Sequence, residues 1–178
     1  GAYTADSIVI STGSMKGMWE LLRKHGHSVE PPVPSLFTFN VSDSRLTDLP
    51  GVAFKDALIK VAGTKLNSQG PLLITHWGLS GPGILRLSAW GAKQLAEKEY
   101  QFLLNINFVN HGFEETQKEL KQLAADNHKK QLSNTCPFDL PKRYWHSILQ
   151  HLDISEQRWC DVGSKTINKL AEELTNGQ

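Results

Sequence analysis

Cysteine is scarce in this 178-residue chain. Cys136 and Cys160 stand far apart, outside any CxxC or Cys/His grouping. That argues against a disulfide scaffold and a zinc site, and it fits a reducing cytoplasm as the expected location. Long apolar runs are lacking as well. No segment is apolar for long enough to cross a bilayer and no charged-then-apolar leader opens the chain, so no membrane partner is expected. An excess of one charge is also missing: 19 Lys and Arg against 18 Asp and Glu leave a net charge of +1. Such a balance implies no wholesale attraction to nucleic acid, and no nucleic-acid partner is expected. The short runs Lys129-Lys130 and Lys142-Arg143 read as solvated helix faces. Catalytic motifs are absent in turn. There is no HExxH, no GxxxxGK[ST] and no local Ser/His/Asp arrangement, so no catalytic residue and no metal ligand is assigned. The glycines from Gly78 to Gly83 are spaced GxxGxG, not GxGxxG, and no βαβ unit surrounds them, which excludes a dinucleotide fingerprint there.

What is present is globular: 39% apolar and 21% charged residues, enough for one generous domain or two small packed subdomains. The chain opens on Gly1 and not on Met, which reads as an excised piece. Asp6 to Ile10 reads as a short strand ending at Ser11-Thr12-Gly13, followed by a helix from about Gly17 to Lys24. Pro31, Pro32 and Pro34 impose an extended connection. Phe37 to Val41 alternates as a half-buried strand, and a further strand covers roughly Phe54 to Val61. Lys65 to Thr75 reads as a hairpin with its turn at Asn67-Ser68-Gln69-Gly70. Ser80-Gly81-Pro82 then offers a cap to a helix marked by Leu85, Ala89, Ala92 and Ala96. Tyr100 to Val109 is the clearest strand, with Tyr100, Phe102, Leu104, Ile106 and Phe108 on one face.

Beyond Gly112 the apolar period becomes helical. Helices are expected over Phe113 to Ala124, from Pro141 with Trp145, Ile148, Leu149 and Leu152 inward, and from a Ser164 cap through Leu174. The fold class is α+β: a β-barrel-like subdomain with covering helices over residues 1–110, then a small helical bundle over 111–178.

Two segments invite a functional interpretation. Thr75 to Pro82 runs strand, tight loop, helix start, and places Thr75, His76, Gly78, Ser80 and Gly81 beside backbone N–H groups that could meet an anion or carbonyl oxygen. A simple capped turn explains the same residues. Thr12 and Gly13 end an apolar strand where glycine would let a cofactor approach closely, and a plain strand-end turn again suffices.

Several blocks also resemble a known family. Ala5 to Gly13 resembles the ADxVIxATG strand of flavoproteins with two dinucleotide-binding modules. Gly26 to Asn40 resembles a GHxIxxPxPSLFTFN segment, Thr75 to Pro82 a THxGLSGP signature, and Leu140 to Trp145 an LPKRLW helix start. In this order they resemble the BaiN-like, aminoacetone-oxidase-like bacterial NAD(P)/FAD-dependent oxidoreductases. The stretch between Gly13 and Met18 is shorter than that family's glycine-rich loop, and its flanking flavin-binding segments are missing. The resemblance implies an inserted domain that covers the flavin and shapes the substrate pocket. It implies FAD in the intact parent, NAD(P)H as a candidate reductant, a small-molecule substrate, and the rest of the parent chain as partner. The fragment alone is expected to be inactive and to hold no cofactor. The rival expectation is a stand-alone ligand- or peptide-binding module with no activity.

Overall fold

The computed structural model describes residue 1 and residues 3–178. These form two compact units, Gly1–Pro32 and Val33–Gln178.

In the first unit the described residues contain one regular element, α1 (Lys16–Lys24), which buries none of its side chains. The strand expected over Asp6 to Ile10 does not form. Ile8 and Val9 are 81% and 91% exposed. An apolar strand needs a neighbouring strand to satisfy its backbone, and the described residues offer it none.

The second unit holds a curled, five-stranded antiparallel half-barrel and helices. Its strands are β1 (Phe39–Asn40), β2 (Ala53–Val61), β3 (Asn67–Thr75), β4 (Gly78–Ser80) and β5 (Leu104–Asn107), in the order β1-β4-β3-β2-β5. Every pairing is antiparallel. A bulge between Phe54 and Ala57 bends β2, which assists the curl. Helices α2 (Pro82–Trp90) and α3 (Ala92–Glu97) follow β4; α4 (Phe113–Asp126), α5 (Lys142–His151) and α6 (Ser164–Asn176) follow β5. The α+β class expected from the change of period is the class observed.

Several local expectations need correction. The hairpin turn lies at Ala62–Leu66 and not at Asn67–Gly70, and β3 runs unbroken through those four residues. Gly63 supplies a positive φ of 70°, while the Thr64 hydroxyl donates to the Val61 carbonyl and accepts from the Leu66 N–H. These bonds close the turn early, and Ser68 and Gly70 then face inward. Neither expected serine cap forms, because Gly81 and Gly163 hold the cap positions. Ser80 is instead paired with Leu73 in the sheet. Tyr100–Val109 shortens to β5 because Glu99 and Tyr100 adopt positive φ as the chain leaves α3.

One continuous core joins sheet and helices. Ile59, Leu72 and Ile74 of the sheet pack with Ile84 and Leu87 of α2, and Leu120, Trp145, Leu149 and Leu170 are fully buried in the helical part. Trp145 stacks on Trp159 with ring centres 6.5 Å apart, and its indole N–H donates to the Leu132 carbonyl. Among the described residues no helix is long and apolar enough to cross a membrane.

Candidate functional site

Most of the residues singled out in the sequence share one hairpin. Thr75 ends β3 and its hydroxyl donates to the Gly78 carbonyl at 3.1 Å. His76 and Trp77 form the exposed tip. Gly78 pairs with Asn40 and with Thr75, Ser80 is half-buried, and Gly81 leads into α2. Thr12 and Gly13 lie in the first unit; Gly13 turns at a φ of 59° before α1, with open space around it.

The glycines of the hairpin have a packing reason. A Cβ on Gly78 would fall 2.1 Å from the Phe39 carbonyl oxygen and 2.6 Å from the Val41 nitrogen. On Gly81 it would fall 2.7 Å from the Pro71 carbonyl oxygen, and both residues have positive φ. Gly83 is buried where the first turn of α2 rests on the backbone of Gly70 and Pro71. These positions let β1 and α2 press against the sheet.

A concavity of the second unit lies elsewhere. A cavity of about 1020 Å³ opens where the curl brings the two edges of the sheet toward each other. Phe39 of β1 meets Phe102, just before β5, with ring centres 5.1 Å apart, and Phe37 meets Tyr100 at 5.8 Å. Both alternating faces read in the sequence line it: Phe37, Phe39 and Val41 on one side, and Tyr100 through Phe108 on the other. Deeper in, Tyr144 of α5 packs edge-on against Phe54 at 4.8 Å and lies 4.6 Å from Phe108.

A polar wall faces these rings. Asp43 accepts from its own neighbour Arg45 through Nε at 3.0 Å and Nη2 at 2.6 Å, and from the Arg45 backbone N–H at 2.9 Å. Arg45 also pairs with Glu173 of α6 and donates to the Gln178 carbonyl. Burial raises the Asp43 carboxyl, but hydrogen bonds and charge from Arg45 outweigh it and hold the group below the usual carboxylate range. The bond to Asp43 holds the Arg45 guanidinium above its ordinary value. Burial pushes the Tyr144 phenol well above its own. Arg45 and Glu173 are 128 residues apart, so no local pattern could have paired them. Tyr144 could have been found only as the neighbour of Trp145.

One further group stands outside the cavity. His111, Glu115 and Glu119 bring one ligand atom each within 4.8 Å of one another at the start of α4, and both carboxylates are exposed. His111 Nδ1 lies 3.3 Å from Glu119 Oε1, an ion pair when the imidazole is protonated. Cys136 and Cys160 are free, and burial pushes the Cys136 thiol up. The all-antiparallel sheet has no parallel βαβ turn, so these described residues do not fit the pyrophosphate of a flavin dinucleotide.

Residues 33–178 match a family described as the HI0933-like protein barrel and H2TH domain. Those are also the bounds of the second compact unit. The chain is 29% identical over 177 residues to a Haemophilus influenzae protein named ribosomal RNA dihydrouridine synthase. That similarity covers 93% of this chain and 41% of the relative, so the chain spans about two fifths of the length of the curated protein it matches.

Proposed function

The chain belongs to the HI0933-like barrel and H2TH domain family, a domain of flavoprotein-like proteins, and from that premise we propose that it is the substrate-pocket domain of a bacterial FAD-dependent oxidoreductase. The observation that carries this proposal is the open, aromatic cavity: a substrate-sized compartment in a domain whose own sheet has no dinucleotide site. The exposed apolar run Ile8 to Ile10 supports it, because such a run suits a strand completed by a sheet in the rest of the parent chain. FAD would then be held by that remainder, with NAD(P)H as its reductant. Residues 1–110 and 111–178 would serve as the β-rich and helical parts, in a cytoplasmic protein.

The name of the Haemophilus relative directs the substrate proposal to a uridine of ribosomal RNA, in place of the small molecule that the family resemblance implies and of the absent nucleic-acid partner expected from the charge balance. The test is to disrupt the parent gene and measure dihydrouridine in ribosomal RNA by mass spectrometry. The expected result is loss of the modified base, restored by the intact gene and by neither half alone. Unchanged dihydrouridine would overturn the RNA substrate. In the intact enzyme, His76→Ala and Ser80→Ala should lower turnover more than stability if the hairpin faces flavin or substrate, and normal kinetics would leave those residues to packing. The cavity also favours a second reading, a ligand-binding module without activity. A parent protein that purifies without flavin would favour that one.

A further inference from the structure

The half-barrel is left with two edge strands, β1 and β5, and both border the cavity. Five strands that alternate in direction leave those two edges running the same way. Joined directly they would make a parallel pair, whereas one more strand between them would be antiparallel to both. The start of such a strand is already in place. Past α6, the Gly177 N–H donates to the Ile106 carbonyl at 3.0 Å, and the Ile106 N–H donates back to the Gly177 carbonyl at 2.9 Å. This bridge runs antiparallel to β5, on the side away from β2. Arg45, in the turn that follows β1, donates to the Gln178 carbonyl and holds the same segment from the other side of the opening.

Beyond the bridge the two edges are unanswered. Backbone groups alternate along a strand, so Leu104 and Phe102 turn theirs the same way as Ile106. The Val41 N–H donates to the Trp77 carbonyl beside β4, so Asn40 and Thr38 face the opening from the other edge. Among the described residues none of these four meets a backbone partner there. Such a row is a template for another strand. The apolar face is unfinished at the same place. Ile106 and Phe108 are buried beside the end of α6, whereas Leu104, Phe102, Phe37 and Val41 are only half-buried. Phe39 and Phe102 touch across the opening, ring centres 5.1 Å apart, which keeps both edges within reach of a single strand.

We propose that the parent chain continues from Gln178 as a sixth strand between β5 and β1, closing the half-barrel. The proposal rests on the function above in one respect, that these residues belong to a longer protein; they span about two fifths of the curated relative. The Ile106–Gly177 bridge sets the register, and about five further residues carry the strand past Phe102. Those opposite Leu104 and Phe102 are apolar and turn inward to complete the half-buried face. Substrate then meets the cavity as an enclosed compartment with this strand as one wall.

Amide hydrogen exchange reads the opening directly. In the 178-residue chain the Phe102, Leu104 and Asn40 amides should exchange fast, while Asn105, paired with Lys60 of β2, exchanges slowly. In the intact parent protein the fast amides should slow by about a hundredfold or more and match Asn105. A synthetic peptide of about ten parent residues following Gln178 should protect the same amides in the 178-residue chain and raise its melting temperature, and a scrambled peptide should do neither. Amides that stay fast in the parent would overturn the proposal. So would protection in the parent that the peptide fails to reproduce, which would give the opening to another part of the protein. Protection in the 178-residue chain that rises with its own concentration would give it to a second copy, and protection that appears only with added RNA would give it to substrate. Protected amides in a parent that makes no dihydrouridine would sink the function proposed above and spare the strand. Dihydrouridine made by a parent whose amides stay fast would do the reverse.

Discussion

Asp43 and Arg45 show how much a two-residue spacing can settle locally. Asp43 caps the short turn at Ser44–Leu46 by accepting from the Arg45 N–H, and its second oxygen then meets the guanidinium. The folded carboxyl lies below its ordinary value, whereas the unfolded one returns to about 3.9. The stability from that difference is therefore complete above the ordinary carboxylate range and is lost as pH falls through the folded value. Asp43→Asn should cost about 1 kcal/mol at pH 7, discounted for partial exposure, and the deficit should fade below about pH 4. Calorimetric melts at the two pH values check this, and an equal deficit in acid would mean that the side chain acts by shape and not by charge. The Asp43–Arg45 bonds are local; the Glu173 contact arrives from another helix, and no sequence pattern announces it.

At the scale of elements, period and glycine placement explain most of what forms. Helical spacing marks Trp145 for the core, and it is fully buried against Trp159 and the Leu132 carbonyl. Trp145→Ala should destabilise by about 3–5 kcal/mol in a denaturant titration, because the stacked ring leaves a large void and an unpaired carbonyl. Gly78 stands in a motif that invites a functional role, but the atoms nearest to a side chain there are backbone of Phe39, Asn40 and Val41. Gly78→Ala should cost about 2–4 kcal/mol through positive φ and the Phe39 clash. A thermal melt near that of the parent chain would show that β1 can lift off β4. Asn67–Gly70 and Ala62–Leu66 both carry a turn composition, and which of them bends depends on the Thr64 hydroxyl and on the inward facing of Ser68 and Gly70.

For the whole molecule the main expectation concerns flavin. FAD carries a pyrophosphate, and the described residues offer it neither a parallel βαβ turn nor a positive cavity wall. The purified chain should be colourless in the visible band, and added FAD should leave its melting temperature unchanged, since a ligand stabilises only the state that it binds. Yellow protein, or a melt that rises with FAD, would place the flavin site within these residues.

The sequence by itself determined the α+β class, the change of apolar period near Gly112, the core role of Trp145 and the two alternating aromatic faces, because burial writes a period into neighbouring residues. It also displayed the glycines of the β3–β4 hairpin, without saying that backbone contact and not a ligand demands them. Only the tertiary structure decided that Phe39 meets Phe102, that Arg45 meets Glu173, and that Tyr144 sits between the rings and the charges. Those contacts join residues far apart in the chain, created when a bulged sheet curls until its opposite edges share one cavity, and no local spacing encodes them.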